Sequence, residues 1–235
     1  LNKLKILAIE TAAMMGGVAL ADEEGLIAEY RLGIDTRNSD GLLPAIDRML
    51  SDVQIGLSDL GAIAVSIGPG SYTGLRVGLA MAKGLAIGTN LPLIAVPTLE
   101  AMAAAFPYTD KWVSPWLYAG EKNVHWGLFR MKEATLTSVI ADSTSSVEEA
   151  LQILSSHHES LLFVGGGALR YQTLIMEMGH ASGAEGWVVT PRGVQFPSPA
   201  SVAACGMIRL MKGDVLKPEE VVPVYSWKRY PMELT

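Results

Sequence analysis

Residues 68–76 read Gly-Pro-Gly-Ser-Tyr-Thr-Gly-Leu-Arg, between an apolar run from Ala62 to Ile67 and a helix-like run from Leu75 to Ile87. A buried strand that ends in a glycine-rich turn and opens a helix is how α/β proteins build an anion site. The glycines let the backbone approach the ligand, and the first amides of the helix point at it. Here Gly68, Gly70 and Gly74 would give the approach, Ser71 and Thr73 hydroxyl donors, and Arg76 a charge. The spacing fits neither common nucleotide loop. A Walker loop needs Lys and then Ser or Thr after its last glycine, whereas Gly74 precedes Leu75, and the three glycines are one residue too long for a Rossmann fingerprint. Packing is the alternative. Gly74, Gly78, Ala82 and Ala86 form a small-residue stripe along one helix face, which admits another backbone closely, with Leu75, Leu79 and Met81 on other sides.

Other reactive side chains are sparse. Glu10 closes the first strand-like run, a place where a carboxylate can serve as a general base or sit beside a metal. The four histidines, His125, His157, His158 and His180, form neither an HExxH motif nor an i, i+4 pair. A lone cysteine, Cys205, excludes internal disulfides and cysteine-rich zinc sites. The net charge of −6 argues against independent nucleic-acid binding, because phosphate neutralisation supplies most of that affinity. The densest cationic groups are Lys3/Lys5 and Lys228/Arg229. No apolar run reaches the ~20 residues of a bilayer span, and the opening residues run straight into a strand pattern without signal-peptide architecture, so a cytoplasmic protein is expected.

The elements that must position these groups follow from periodicity. Strands are expected over Leu4–Glu10, Gly17–Ala21 and Leu26–Leu32. A helix follows, capped by Asn38, Ser39 or Asp40, with apolar Leu42, Leu43, Ile46, Met49, Leu50 and Val53 and with Pro44 in its first turn. Then come strand Ala62–Ile67, helix Leu75–Ile87, strand Leu93–Ala95 and helix Thr98–Ala105. Pro107–Lys111 is a hinge. Beyond it, strands at Val113–Ala119, Val124–Met131 and Leu136–Ala141 precede a helix from Ser146, where Glu149 completes a capping box. Strand Leu161–Val164, a Gly165-Gly166-Gly167 turn, helix Ala168–Met178, strand Trp187–Thr190 and helix Pro199–Met211 follow. Val221–Tyr225 reads as a tail or an edge strand. Each half runs strands first and then alternates helix and strand, which predicts an α/β protein of two mixed sheets flanked by helices. The two lobes are expected at 1–107 and 108–235, with helix 199–211 packing on either one.

The stretch from Gly68 to Ala86 resembles the signature of the bacterial TsaB (YeaZ) family. Ile6-Leu7-Ala8-Ile9-Glu10-Thr11, Leu42-Leu43-Pro44-Ala45-Ile46, Pro97-Thr98-Leu99-Glu100 and Pro223-Val224-Tyr225 are similar to further stretches of it. The resemblance implies two ribonuclease-H-like lobes of the acetate kinase, Hsp70 and actin (ASKHA) superfamily. It implies a noncatalytic subunit that pairs with the catalytic paralogue TsaD and with the ATPase TsaE, and that meets tRNA only through the complex. Together these place threonylcarbamoyl on the adenosine beside the anticodon of tRNAs reading codons that begin with A. Pairing would use the first two helices, with Asp40, Leu42, Leu43, Ile46, Leu50, Leu79 and Met81 at the contact and Arg76 and Lys83 at its rim. The same helices could form a homodimer. No cofactor of its own is implied, ATP being used by the partners. Glu10 then reads as structural, Asn38 stands where many members have histidine, and Tyr118-Ala119-Gly120-Glu121-Lys122 departs from the family's Asp-Ala-Arg. The competing expectation is a small ATP-dependent phosphotransferase of the same superfamily using Glu10 and the glycine loop. A metalloprotease lacks the ligands.

Overall fold

A computed structural model describes residues 4–33, 41–133, 135–157, 159–184 and 186–225. The first sheet is built from β1 (Lys5–Glu10), β2 (Met15–Asp22), β3 (Gly25–Gly33), β4 (Ala62–Gly68) and β5 (Leu93–Pro97), in the order β3-β2-β1-β4-β5. β1, β2 and β3 form an antiparallel meander, and β4 and β5 join parallel to β1 through helical crossovers. Those crossovers are α1 (Leu42–Asp52) and α2 (Tyr72–Thr89). The second sheet repeats the plan with β6 (Trp112–Tyr118), β7 (Asn123–Lys132), β8 (Thr135–Ser146), β9 (Leu161–Val164) and β10 (Val188–Val189), in the order β10-β9-β6-β7-β8. Its helices are α4 (Val147–Ser155), α5 (Gly166–Arg170) and α6 (Gln172–Ala181). A meander followed by two parallel additions in both halves is the ribonuclease-H-like lobe occurring twice.

Strand alternation sorts the first core. Leu7 and Ile9 point to the α1 and α2 face and pack with Val18, Leu20, Ile46, Met49 and Leu79. Ile6, Ala8, Ala19 and Ala64 point the other way, against Val202, Ala203 and Met207 of α7 (Pro199–Met211). The alanines let α7 come close: a Cβ on Gly206 would sit 2.7 Å from the Ala64 Cβ. α7 therefore lies on the first sheet, and Leu216 then bridges to Leu93. The chain crosses between lobes twice, so residues 199–225 belong spatially with the first. α3 (Thr98–Ala104) stands between the sheets, its Leu99, Met102 and Ala103 packing with Val113, Leu117, Phe129 and Val164. Arg209 of α7 grips Glu100 of α3 with Nη2 at 2.9 and 2.8 Å from the two carboxylate oxygens.

Two boundaries differ from expectation for local reasons. β8 runs past the expected end at Ala141 to Ser146 because the polar Asp142–Ser146 stretch is paired with β7 through Trp126↔Ser143 and Asn123↔Ser146. The helix expected over Ala168–Met178 is two helices broken at Tyr171, whose φ of −108° and ψ of 22° leave the helical range. Trp116, Trp126 and Trp187 are buried packing anchors, while Trp112 is half-buried beside His157. Trp227, His158 and the capping residues Asn38, Ser39 and Asp40 lie outside the described residues.

Candidate functional site

The glycine loop is closed around its own chain. Gly68 leaves β4 with φ +117°, a conformation that favours glycine. Behind it, a Cβ on Gly70 would run into the Ala12 carbonyl, one on Gly74 into the Thr11 carbonyl, and one on Gly78 into the Thr11 hydroxyl. The small-residue face of α2 is thus the device that seats the helix on the end of β1. Two amides that an anion nest would offer are already used: Ser71 N donates to the Ala12 carbonyl at 2.7 Å, and Gly74 N to Ser71 Oγ at 3.2 Å. Thr73 is exposed on the outer side. Gly70, Gly74 and Gly78 thus serve close packing on Thr11 and Ala12.

Glu10 is equally enclosed. Its side chain is fully buried, one oxygen accepts from the Ala12 amide, and Oε2 has no partner among the described residues. Burial pushes its pKa up to about 7, against a smaller lowering by the Ala12 amide. A carboxylate with no exposed surface reaches neither substrate nor magnesium in this conformation. Among the described residues no group of three or more histidines, cysteines or acids could hold a metal. In the second lobe a Cβ on Gly165 would meet the Trp116 carbonyl and Met102 Cε, so that turn too is fitted to its own strand. Burial holds His125 neutral, its pKa lowered to about 4, with Nδ1 2.8 Å from Thr144 Oγ1.

The two helices that carry the remaining expected residues each have an inner and an outer face. Leu42, Ile46 and Leu50 of α1 and Leu79 of α2 are buried in the first core, so their assignment to a partner contact is corrected: they hold the helices to the sheet. Met81 and Lys83 are half-buried, whereas Leu43 and Arg76 are exposed; Asp40 lies outside the described residues. The outer face of α2 carries Thr73, Arg76, Ala80, Gly84, Ile87 and Gly88, with Ile87 72% exposed, and α1 adds Leu43 at 50%. Ala80, Gly84 and Gly88 repeat every four residues, a second small-residue row that is open where the first is filled. Its spacing stands in the sequence but is overshadowed by the first row. Mean polarity gives no warning, because glycine and alanine are neutral in either setting.

The chain's last described residues reach this face. Val221 is buried, Val224 N donates to the Ile67 carbonyl at 2.7 Å, and Tyr225 packs on Tyr72 with ring centroids 5.0 Å apart. Arg76 lies over the Tyr72 ring at 4.0 Å, and its Nε donates to the Tyr225 hydroxyl at 3.0 Å. Tyr72 and Tyr225 are site residues that periodicity misses, since 149 positions separate Arg76 from Tyr225.

Comparison with known proteins gives the family and the fold. The family model described as "TsaD: tRNA N6-adenosine threonylcarbamoyltransferase" matches residues 35–187. The "tRNA threonylcarbamoyladenosine biosynthesis protein TsaB" of Bacillus subtilis is 32% identical over 203 residues, covering 86% of this chain and 87% of that protein. The chain belongs to the TsaB family. The TsaB fold is also that of YeaZ from Pseudomonas aeruginosa, with a TM-score of 0.78 at 20% identity over 94% of this chain and 99% of that one. An ASKHA enzyme, a ROK hexokinase from Thermus thermophilus, has the same two-lobed architecture at a TM-score of 0.50 and 10% identity, over 90% and 100% of the chains. In this TsaB chain, among the described residues, no helix is long and apolar enough to cross a membrane.

Proposed function

We propose that the chain is the noncatalytic subunit of a tRNA threonylcarbamoylation complex, and that it pairs with the TsaD-like catalytic paralogue through the outer faces of α1 and α2. The observation that carries this reading is the two-sidedness of α2. One side is packed to contact on Thr11, while the other presents Ala80, Gly84 and Ile87 to solvent, and α1 exposes Leu43. A face of small residues flanked by exposed aliphatic groups offers close backbone approach and loses apolar surface on pairing, at about 25 cal/mol per Å² buried. The enclosed Glu10 and the engaged loop amides of Ser71 and Gly74 support the noncatalytic role, because a phosphotransferase would turn these groups towards ATP. The TsaE-like ATPase and tRNA then join the pair rather than this chain alone, and ATP is used by the partners. Without the paralogue, the same face supports a homodimer. The net charge of −6 fits a chain that meets tRNA through its partners, and this reading places the assembly in the cytoplasm.

Size-exclusion chromatography with the cognate paralogue tests the reading. A 1:1 complex that Leu43→Glu abolishes is expected. Co-elution unaffected by Leu43→Glu and Ile87→Glu together would refute the face. Magnesium-dependent ATP turnover by the isolated chain would refute the noncatalytic role.

A further inference from the structure

Arg76 is held unusually well for an exposed side chain. Its guanidinium lies 4.0 Å from the centroid of Tyr72 and 6.0 Å from that of Tyr225, and Nε is committed to the Tyr225 hydroxyl at 3.0 Å. Tyr225 is held in turn: Val221 is buried, Val224 is hydrogen-bonded to β4, and the Val224 carbonyl closes over Gly68, where a Cβ would not fit. A free arginine loses considerable rotamer freedom on binding; here most of that loss has occurred in the unbound chain. Among the described residues no carboxylate lies within ion-pair distance of Arg76, in contrast to Arg48 and Arg209, which both have acidic partners.

We propose that Tyr72 and Tyr225 are positioning residues that hold Arg76 as a preformed fork for a carboxylate side chain of the catalytic paralogue, an inference that rests on the pairing reading above. With Nε occupied, the two terminal nitrogens remain, and they match the two oxygens of a carboxylate. A nucleic-acid phosphate fits less well. A phosphate-binding surface gathers several cations, and among the described residues the other cation of α2, Lys83, is half-buried two turns away. The last described residues thereby become part of the docking face: the tail reaches across the end of β4 and fixes a side chain on α2.

The test is calorimetric titration of the full chain and its variants with the cognate paralogue at two salt concentrations. Arg76→Ala should weaken binding about 30-fold, the scale of an interfacial hot spot. Arg76→Lys should recover little of this, because an ammonium cannot present a fork. Tyr225→Phe should cost about 3- to 10-fold through the lost hydroxyl, and Tyr72→Phe, which keeps the stacked ring, should cost less than Tyr225→Phe. A merely structural arginine would not distinguish lysine from guanidinium in this way. Parent-like affinity for Arg76→Ala would overturn this inference alone. Failure of the unsubstituted chain to bind would overturn the pairing reading and this inference with it. Arg76-dependent binding of tRNA by the isolated chain would assign the fork to phosphate and overturn the carboxylate.

Discussion

Gly78 of α2 lies over the Thr11 hydroxyl so closely that a Cβ on the glycine would collide with Oγ1. The hydroxyl has no hydrogen-bond partner among the described residues, so the contact is kept for its closeness and not for a bond. It fixes the height of α2 over the sheet, and with it the position of the outer face.

Two glycines of one helix should therefore respond oppositely. Gly78→Ala should destabilise by about 1–3 kcal/mol through overpacking, despite the better helix propensity of alanine. Gly84→Ala meets nothing within 4 Å and should be neutral or stabilising by up to about 1 kcal/mol. Urea unfolding of both variants measures the difference, and equal effects would contradict the inner and outer assignment.

The leucines divide in the same way. Leu79→Ala removes a buried core side chain and should cost about 2–5 kcal/mol. Leu43→Ala should stay within about 0.5 kcal/mol, its side chain being half exposed. Thermal denaturation of the pair checks this without any partner present.

Glu10 gives stability a pH dependence of defined sign. Its folded pKa of about 7 exceeds the unfolded 4.5, so the fold binds a proton that the unfolded chain releases. Its contribution is complete below pH 4.5 and is lost as pH rises to 7, a change on the order of 3 kcal/mol. His125, lowered to about 4, acts in the opposite direction between 4 and 6.5, so total stability hides both slopes. Comparing Glu10→Gln with the parent isolates the term: the variant should gain relative stability between pH 5 and 8. A constant difference across that range would contradict burial of the charge.

The Glu100–Arg209 pair ties the inter-sheet helix α3 to α7, and its side chains are 29% and 26% exposed. Arg209→Met should cost about 1–2 kcal/mol once solvent screening is allowed for. The loss should be larger at pH 8 than at pH 5, because Glu100 is left facing Asp142, whose pKa is raised to about 6 by burial and by Glu100 itself. Unfolding at the two pH values reads this out.

Much of the fold was legible because its signals are local. Leu7 and Ile9 alternate with Ile6 and Ala8, Ser146 and Glu149 sit at cap spacing, and both lobes announce a meander before their crossovers. The direction of a helix face was not. Gly74, Gly78, Ala82 and Ala86 read equally as core or interface until Thr11 is seen beneath them, and Leu42 and Leu43 are neighbours of one hydropathy with opposite fates. The Arg76–Tyr225 contact joins residues that only the return of α7 to the first sheet brings together. No periodicity encodes such a contact.

In the proposed function the outer face of α2 activates a catalytic partner while the chain does no chemistry itself. The most direct measurement is tRNA threonylcarbamoylation by the cognate paralogue and ATPase, with no added chain, with the unsubstituted chain, and with Ile87→Glu. Strong stimulation is expected from the unsubstituted chain and none from Ile87→Glu, whose melting temperature should match the parent because Ile87 is 72% exposed. Stimulation by Ile87→Glu equal to that of the parent, or no dependence on the chain at all, would contradict it.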